Sequence, residues 1–281
     1  REGAGTTMLA ITLLTFKEVI RRRILLITLF LTLVFLALFG TGVHYGYEEM
    51  AGQAGPLEMV LTQQFLAMGL YFGSFIVAFL AIMAAVGAIS GEIESGTIYA
   101  LVARPVKRSA IILGKLLGYG FMLCVFAALF YLAIVLIIRF NTGLSVPVKP
   151  AALGLFCLQP FILLAVTLFG TTFLSTLANG IAAFMLYAIG VVGGMMEQIG
   201  YFAKSEVLVQ IGIVSSLLMP ADAVYRKIVY SLLATPEVSM ASMLGPFGSM
   251  SEPSAWMLLY TGLYMLSFLA LAVRIFSRRD I

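Results

Sequence analysis

Charge is scarce in this sequence: of 281 residues, 11% are Asp, Glu, Lys or Arg, while 62% are hydrophobic. With a mean hydropathy of +1.07, this excludes a water-soluble globule, which carries about a quarter charged residues. Histidine and cysteine are almost missing. His44, Cys124 and Cys157 stand alone, with no CxxC or HExxH spacing, so no metal site is expected and no catalytic residue is assigned. A phosphate-binding GxxxxGK[ST] loop is also lacking: Gly114-Lys115 is followed by Leu116, and Ser109 stands where the first glycine belongs. The chain therefore has no ATPase site of its own. Finally, the cores of the long apolar runs hold no Asp, Glu or His, the groups that ion-driven carriers keep inside their spans.

What the sequence has instead is apolar length. A helix needs about 20 apolar residues to cross about 30 Å of hydrocarbon. Residues 24–43, 65–89, 110–138, 151–175, 179–198 and 254–274 are predicted to be six spans of an all-α integral membrane protein, a single domain over 1–281. The division between the fourth and fifth rests on Ser175-Thr176-Leu177-Ala178-Asn179-Gly180, whose Asn and Gly tolerate turn conformations. The first run is too long for a cleaved signal and stays as a span. Ahead of it, 6–23 is predicted to be an interfacial helix: Leu9, Leu13, Phe16 and Ile20 form an apolar stripe, followed by a basic cluster of Arg21, Arg22 and Arg23, with Lys17 beside it.

If both termini and the 90–109 loop are cytoplasmic, twelve of the 17 basic residues lie on that side, as the positive-inside rule requires. The net charge of +4 then concerns topology and membrane lipid and gives no reason to expect nucleic acid. The 199–253 loop is extracytoplasmic on this reading. Within it, 207–219 is too short to span and is expected to be interfacial or re-entrant. Residues 221–233 are expected to form an amphipathic helix, with Val224, Ile228, Val229 and Leu232 on one side and Arg226 and Lys227 on the other. Met219, Met240, Met243 and Met250 lie in this loop, but their loose spacing, without Cys or His, suits flexible packing better than Cu(I) ligation. Gly69/Gly73, Gly114/Gly118 and Gly190/Gly194 are small-xxx-small pairs that let helices approach closely.

The loop Ile-Ser-Gly-Glu-Ile-Glu-Ser-Gly-Thr-Ile-Tyr-Ala-Leu-Val-Ala-Arg-Pro-Val-Lys-Arg, 89–108, sets acids and bases between two apolar runs. Ser95 is expected to cap a short helix from Gly96 to about Ala103, with Ile98, Leu101 and Val102 on one face. Pro105 stops it at Arg104. Such a helix cannot bury itself, so a cytoplasmic partner is expected to receive it.

Glu94-Ser95-Gly96-Thr97, Arg104-Pro105, Arg108 and Ile112-Leu113-Gly114-Lys115 resemble the cytoplasmic loop of ABC-2-type permeases, in particular the subgroup of the nitrous-oxide-reductase maturation permease. The resemblance implies the membrane subunit of an ATP-driven exporter. Its loop is a coupling helix that docks on a separate nucleotide-binding subunit, here through Glu92, Glu94, Ser95, Gly96, Thr97, Ile98, Leu101, Arg104, Pro105 and Arg108. It further implies ABC ATPase partners that carry the ATP and Mg, a second permease subunit, identical or homologous, and a prokaryotic cell membrane. Spans two and five of the family lie near the dimer centre, which makes Tyr71, Phe72, Ser74, Phe75, Met185, Tyr187 and Met195 candidates for a translocation path. The alternative is a secondary transporter driven by an ion gradient, without an ATPase.

Overall fold

The computed structural model describes residues 2–21, 23–49, 56–96, 108–143, 149–233 and 253–278, with the side chains of 2–7, 21 and 56–59 set aside. Among the described residues there are helices and no strands. In chain order they are α1 (Glu2–Arg21), α2 (Arg23–Glu48), α3 (Pro56–Ala85), α4 (Ser90–Glu94), α5 (Arg108–Thr142), α6 (Pro150–Gly170), α7 (Thr176–Ala203), α8 (Glu206–Leu218), α9 (Ala221–Leu233) and α10 (Ala255–Arg278). Six are long and apolar enough to cross a membrane: α2, α3 running on to Glu94, α5, α6, α7 and α10. The chain is a multi-pass, all-α membrane protein. We call the side of α4 the near face and the other side the far face.

Glycines set the packing where the sequence paired them. A Cβ on Gly69 would meet Phe39 of α2 at 2.7 Å, and one on Gly73 would run into Phe130 of α5. At Gly114 and Gly118 the neighbour is α1, with Ile11 and Thr15 both at 2.7 Å. This contact turns α1 so that Thr15 and Val19 are buried while Leu9, Leu13 and Ile20 face outward. The predicted apolar stripe is thus the lipid side of α1, and Phe16 lies edge-on to Phe121 of α5 at 5.4 Å. Lys17 and Arg23 are exposed, whereas Arg22 and the Arg21 side chain lie outside the described residues.

The turn between the fourth and fifth spans falls earlier than expected. Residues 171–175 make it, and α7 begins at Thr176, so Asn179 and Gly180 are helical. Asn179 has a different task. Its Nδ2 donates to the carbonyls of Val86, at 2.9 Å, and Thr167, at 3.1 Å. Val86 begins the four-residue break between α3 and α4, where a buried carbonyl would otherwise lack a helical donor.

The 206–233 segment is a broken helix pair bent by 109° at Met219-Pro220. Re-entry, one of the two forms expected for its first half, is what its partners indicate. A Cβ on Gly190, the middle of α7, would stand 2.9 Å from the Met219 carbonyl, and Gln159, the middle of α6, donates to the Ala221 carbonyl at 3.3 Å. The bend therefore sits at the level of the span centres. Trp256 is 77% exposed at the far end of α10, suiting an interface belt, but the Tyr260 and Tyr264 hydroxyls donate to the Leu217 and Leu218 carbonyls at 2.6 and 2.8 Å. They satisfy carbonyls that end α8 at membrane depth, where water is absent.

Candidate functional site

On the near face, the two described ends of the charged loop are bonded to three spans. Glu92 pairs with Lys115 of α5 at 2.6 Å, and Lys115 is 3% exposed. Glu94 accepts from both the backbone N–H and the hydroxyl of Thr176, each at 3.1 Å. Ser175 makes no side-chain cap to α7, so a carboxylate from another segment caps the helix, where its charge also suits the dipole. Ser90 joins the same knot: its hydroxyl meets Thr176 Oγ1 at 2.8 Å, Thr171 Oγ1 donates to it at 3.0 Å, and the backbone N–H groups of Ile89 and Ser90 donate to Thr171 Oγ1. Arg108 donates to the Phe276 carbonyl at 3.0 Å, at the end of α10, and lies over the Phe276 ring.

Ser95 has a second part, at the end of α4. Its hydroxyl turns back to the Glu92 carbonyl at 3.4 Å and it closes α4; the helix it is expected to open, from Gly96 to about Ala103, lies beyond Gly96 outside the described residues. Gly96 takes φ +74°, a left-handed conformation that ends helices and favours glycine. Thr97, Ile98, Leu101, Arg104 and Pro105 lie outside the described residues.

Four of the seven candidate path residues gather under the re-entrant bend. Tyr71 meets Phe75 at 5.1 Å and Tyr225 of α9 at 5.2 Å, and Phe75 meets Tyr187 at 5.6 Å. Ser74 donates to Gln159 at 3.1 Å, which in turn holds the Ala221 carbonyl. Of the other three, Phe72 stands edge-on to Tyr71 at 6.0 Å and also meets Phe35 of α2 at 6.0 Å, while Met185 and Met195 are 56% and 39% exposed on α7.

The far face corrects the reading of α9. Arg226 does not occupy a solvated side: it is 2% exposed, because α9 is buried almost all round. Its Nε donates to Asp222 at 3.0 Å, Nη2 to Ser216 at 3.0 Å, and Nη1 pairs with Glu197 of α7. Asp222 and Glu197 are buried too, so two carboxylates and a guanidinium lie among helices whose cores the sequence presents as uncharged. Gly194 makes room for the Asp222 carboxylate and Gly193 for Ser215, while Gly212 packs against Glu197. Met219 is buried against Gly190 and α10; Met240, Met243 and Met250 lie outside the described residues.

This architecture has relatives. The profile of a family described as ABC-2 family transporter protein matches residues 9–281. The chain is a member of the ABC-2 transporter family. A curated relative, a probable ABC transporter permease protein NosY of Pseudomonas aeruginosa, is 33% identical over 87 residues. That stretch spans 31% of this chain and 30% of the relative. The ABC-2 resemblance of the charged loop and the likeness to the nitrous-oxide-reductase maturation subgroup agree with both matches.

The three buried charges of the far half are the polar cluster that sequence reasoning missed. One signal was present: Asp222 and Arg226 are four apart on a helix, the spacing of an intrahelical ion pair. Placing Arg226 on a polar face hid it.

Proposed function

We propose that this chain is the membrane-spanning permease subunit of an ATP-binding-cassette exporter. In this reading it lies in a prokaryotic cell membrane with both termini cytoplasmic. It pairs with a second permease, identical or homologous, and with ABC ATPase subunits that bind the ATP and Mg. The 90–109 loop docks on the ATPase, and closure of the two ATPases moves the spans between inward and outward openings. Glu92, Glu94, Ser95, Gly96, Thr97, Ile98, Leu101, Arg104, Pro105 and Arg108 form or support that docking loop. Tyr71, Phe72, Ser74, Phe75, Met185, Tyr187 and Met195 border the path.

The observation that carries this reading is the near-face knot. Glu92–Lys115, Glu94–Thr176 and Arg108–Phe276 tie the two ends of the loop to α5, α7 and α10. A force applied to the loop therefore reaches three spans through polar contacts instead of being lost in a slack linker. Among the described residues, the buried acids of the far half that the alternative, an ion-driven carrier, could use are Glu197 and Asp222, and both are engaged by Arg226.

The test is substitution in the loop, followed in the purified complex in proteoliposomes. Glu94→Arg or Gly96→Trp is expected to abolish transport-linked ATP hydrolysis while the permease still reaches the membrane. Normal transport in either variant overturns the assignment, and cargo movement by the chain alone along an ion gradient would support the alternative.

A further inference from the structure

The contacts around Arg226 divide the far half of the molecule into two bodies. α8 packs along α7 throughout, with Gly193, Gly200 and Gly212 bringing the two backbones close. α9 packs chiefly against α6, with lesser contacts to α7 and α3, and the Tyr225 hydroxyl donates to the Ala67 carbonyl of α3 at 2.9 Å. α8 and α9 barely touch beyond their 109° bend. Arg226 belongs to the α9 body with Asp222, and reaches across to Glu197 and Ser216 on the α7–α8 body.

The stoichiometry of this cluster is uneven, with two carboxylates and one guanidinium. Elsewhere on the far face, Lys149 and Lys227 are tied to the carbonyls of Ser231 and Pro253, Lys204 and Arg139 are exposed, and His44 lies 3.5 Å from Glu48. The Tyr71, Tyr187 and Tyr225 phenols complete the surroundings of Asp222. If the two bodies separate, Arg226 keeps Asp222 on its own helix, so no guanidinium is left alone in a low-dielectric interior. Glu197, whose side chain at 9% exposure is the least buried of the three, is the partner that can turn toward water.

We infer that Glu197–Arg226 is a releasable latch between span five and the re-entrant α9, with Asp222 as the partner that holds Arg226 while the latch is open. The inference rests on the proposed transport cycle for its purpose: Glu94 caps the near end of α7 and the latch holds its far half, so a pull at one end is resisted at the other. Gly190, Gly193 and Gly194 leave α7 a smooth face on which the bend can shift.

The two carboxylates therefore have opposite parts, which a merely structural cluster would not give them. The full chain, with Cys124 and Cys157 replaced by alanine, is spin-labelled at Phe202→Cys and Tyr230→Cys, and the distance distribution is measured in nanodiscs. Glu197→Gln is expected to raise the separated fraction by on the order of tenfold over the parent. Asp222→Asn is expected not to raise it, because opening would then strand Arg226. Equal behaviour of the two variants overturns the latch. In the complex with its ATPase, ATP is expected to populate the separated distance, and an unchanged distance in a complex that transports also overturns it. Failure of any ATPase to copurify would count against the proposed function alone, since the labelled chain decides the latch without it.

Discussion

The exposed rim of the near face and the interior of the far half hold their polar groups in opposite ways. At the near face, Glu94 and Thr176 meet at an exposed helix end, and each bond there has water as a ready substitute. In the far half, Arg226 and Asp222 are buried with Glu197, and a guanidinium deprived of its partners there has no such substitute. Exposed contacts of the first kind contribute little to stability but are made and broken cheaply, which suits a junction that must respond to a partner. Buried contacts of the second kind hold until something stronger moves them. The same chain thus separates a responsive end from a resistant one.

The sharpest way to break the contrast is to remove the central cation. Arg226→Met leaves two buried carboxylates facing each other and is expected to cost about 3–5 kcal/mol, read as a large fall in the melting temperature of the purified protein. The combined Arg226→Met, Glu197→Gln and Asp222→Asn variant is expected to recover most of that loss, because a neutral cluster strands no charge. Failure to recover would mean that packing around Arg226, rather than its charge, is the main contribution. Next in size is Gly194→Ala, whose Cβ would collide with the Asp222 carboxylate. Overpacking of this kind costs about 1–3 kcal/mol, and the same thermal measurement in an Asp222→Asn background should show the two effects to be non-additive.

The sequence discloses what depends on averages and hides what depends on encounters. Six spans were legible because about 20 consecutive apolar residues have few other uses, and the glycine pairs marked close approach before any neighbour was known. The turn after the fourth span was misplaced by a few residues because Asn179 and Gly180 carry turn chemistry. Asn179 instead satisfies carbonyls at Val86 and Thr167, one of them 93 residues away, and local propensity has no means of showing that. The burial of Arg226 was hidden for the same reason. Its helix shows an apolar side and a charged one, and only the packing of α6 and α7 around it reveals that the charged side also faces protein. In the loop, the acids were recognised as a feature, but their partners Lys115 and Thr176 lie in other spans.

The near face supplies the smaller effects. Lys115→Met removes a buried ammonium from Glu92, whose side chain is 20% exposed and can turn toward water, so about 1–2 kcal/mol is expected by thermal unfolding, less than for Arg226→Met. Smallest of all is Thr176→Val, which deletes one of the two donors that Glu94 accepts while the backbone N–H remains. A lost cap interaction of this sort costs about 0.5–1 kcal/mol, within reach of careful calorimetry but too little to affect folding yield. If the near face serves only to hold the fold together, transport in this variant should track its nearly unchanged stability. If Glu94 passes force to span five, transport per ATP hydrolysed should fall well beyond what that stability loss explains, and Thr176→Ser, which keeps the hydroxyl, should restore it.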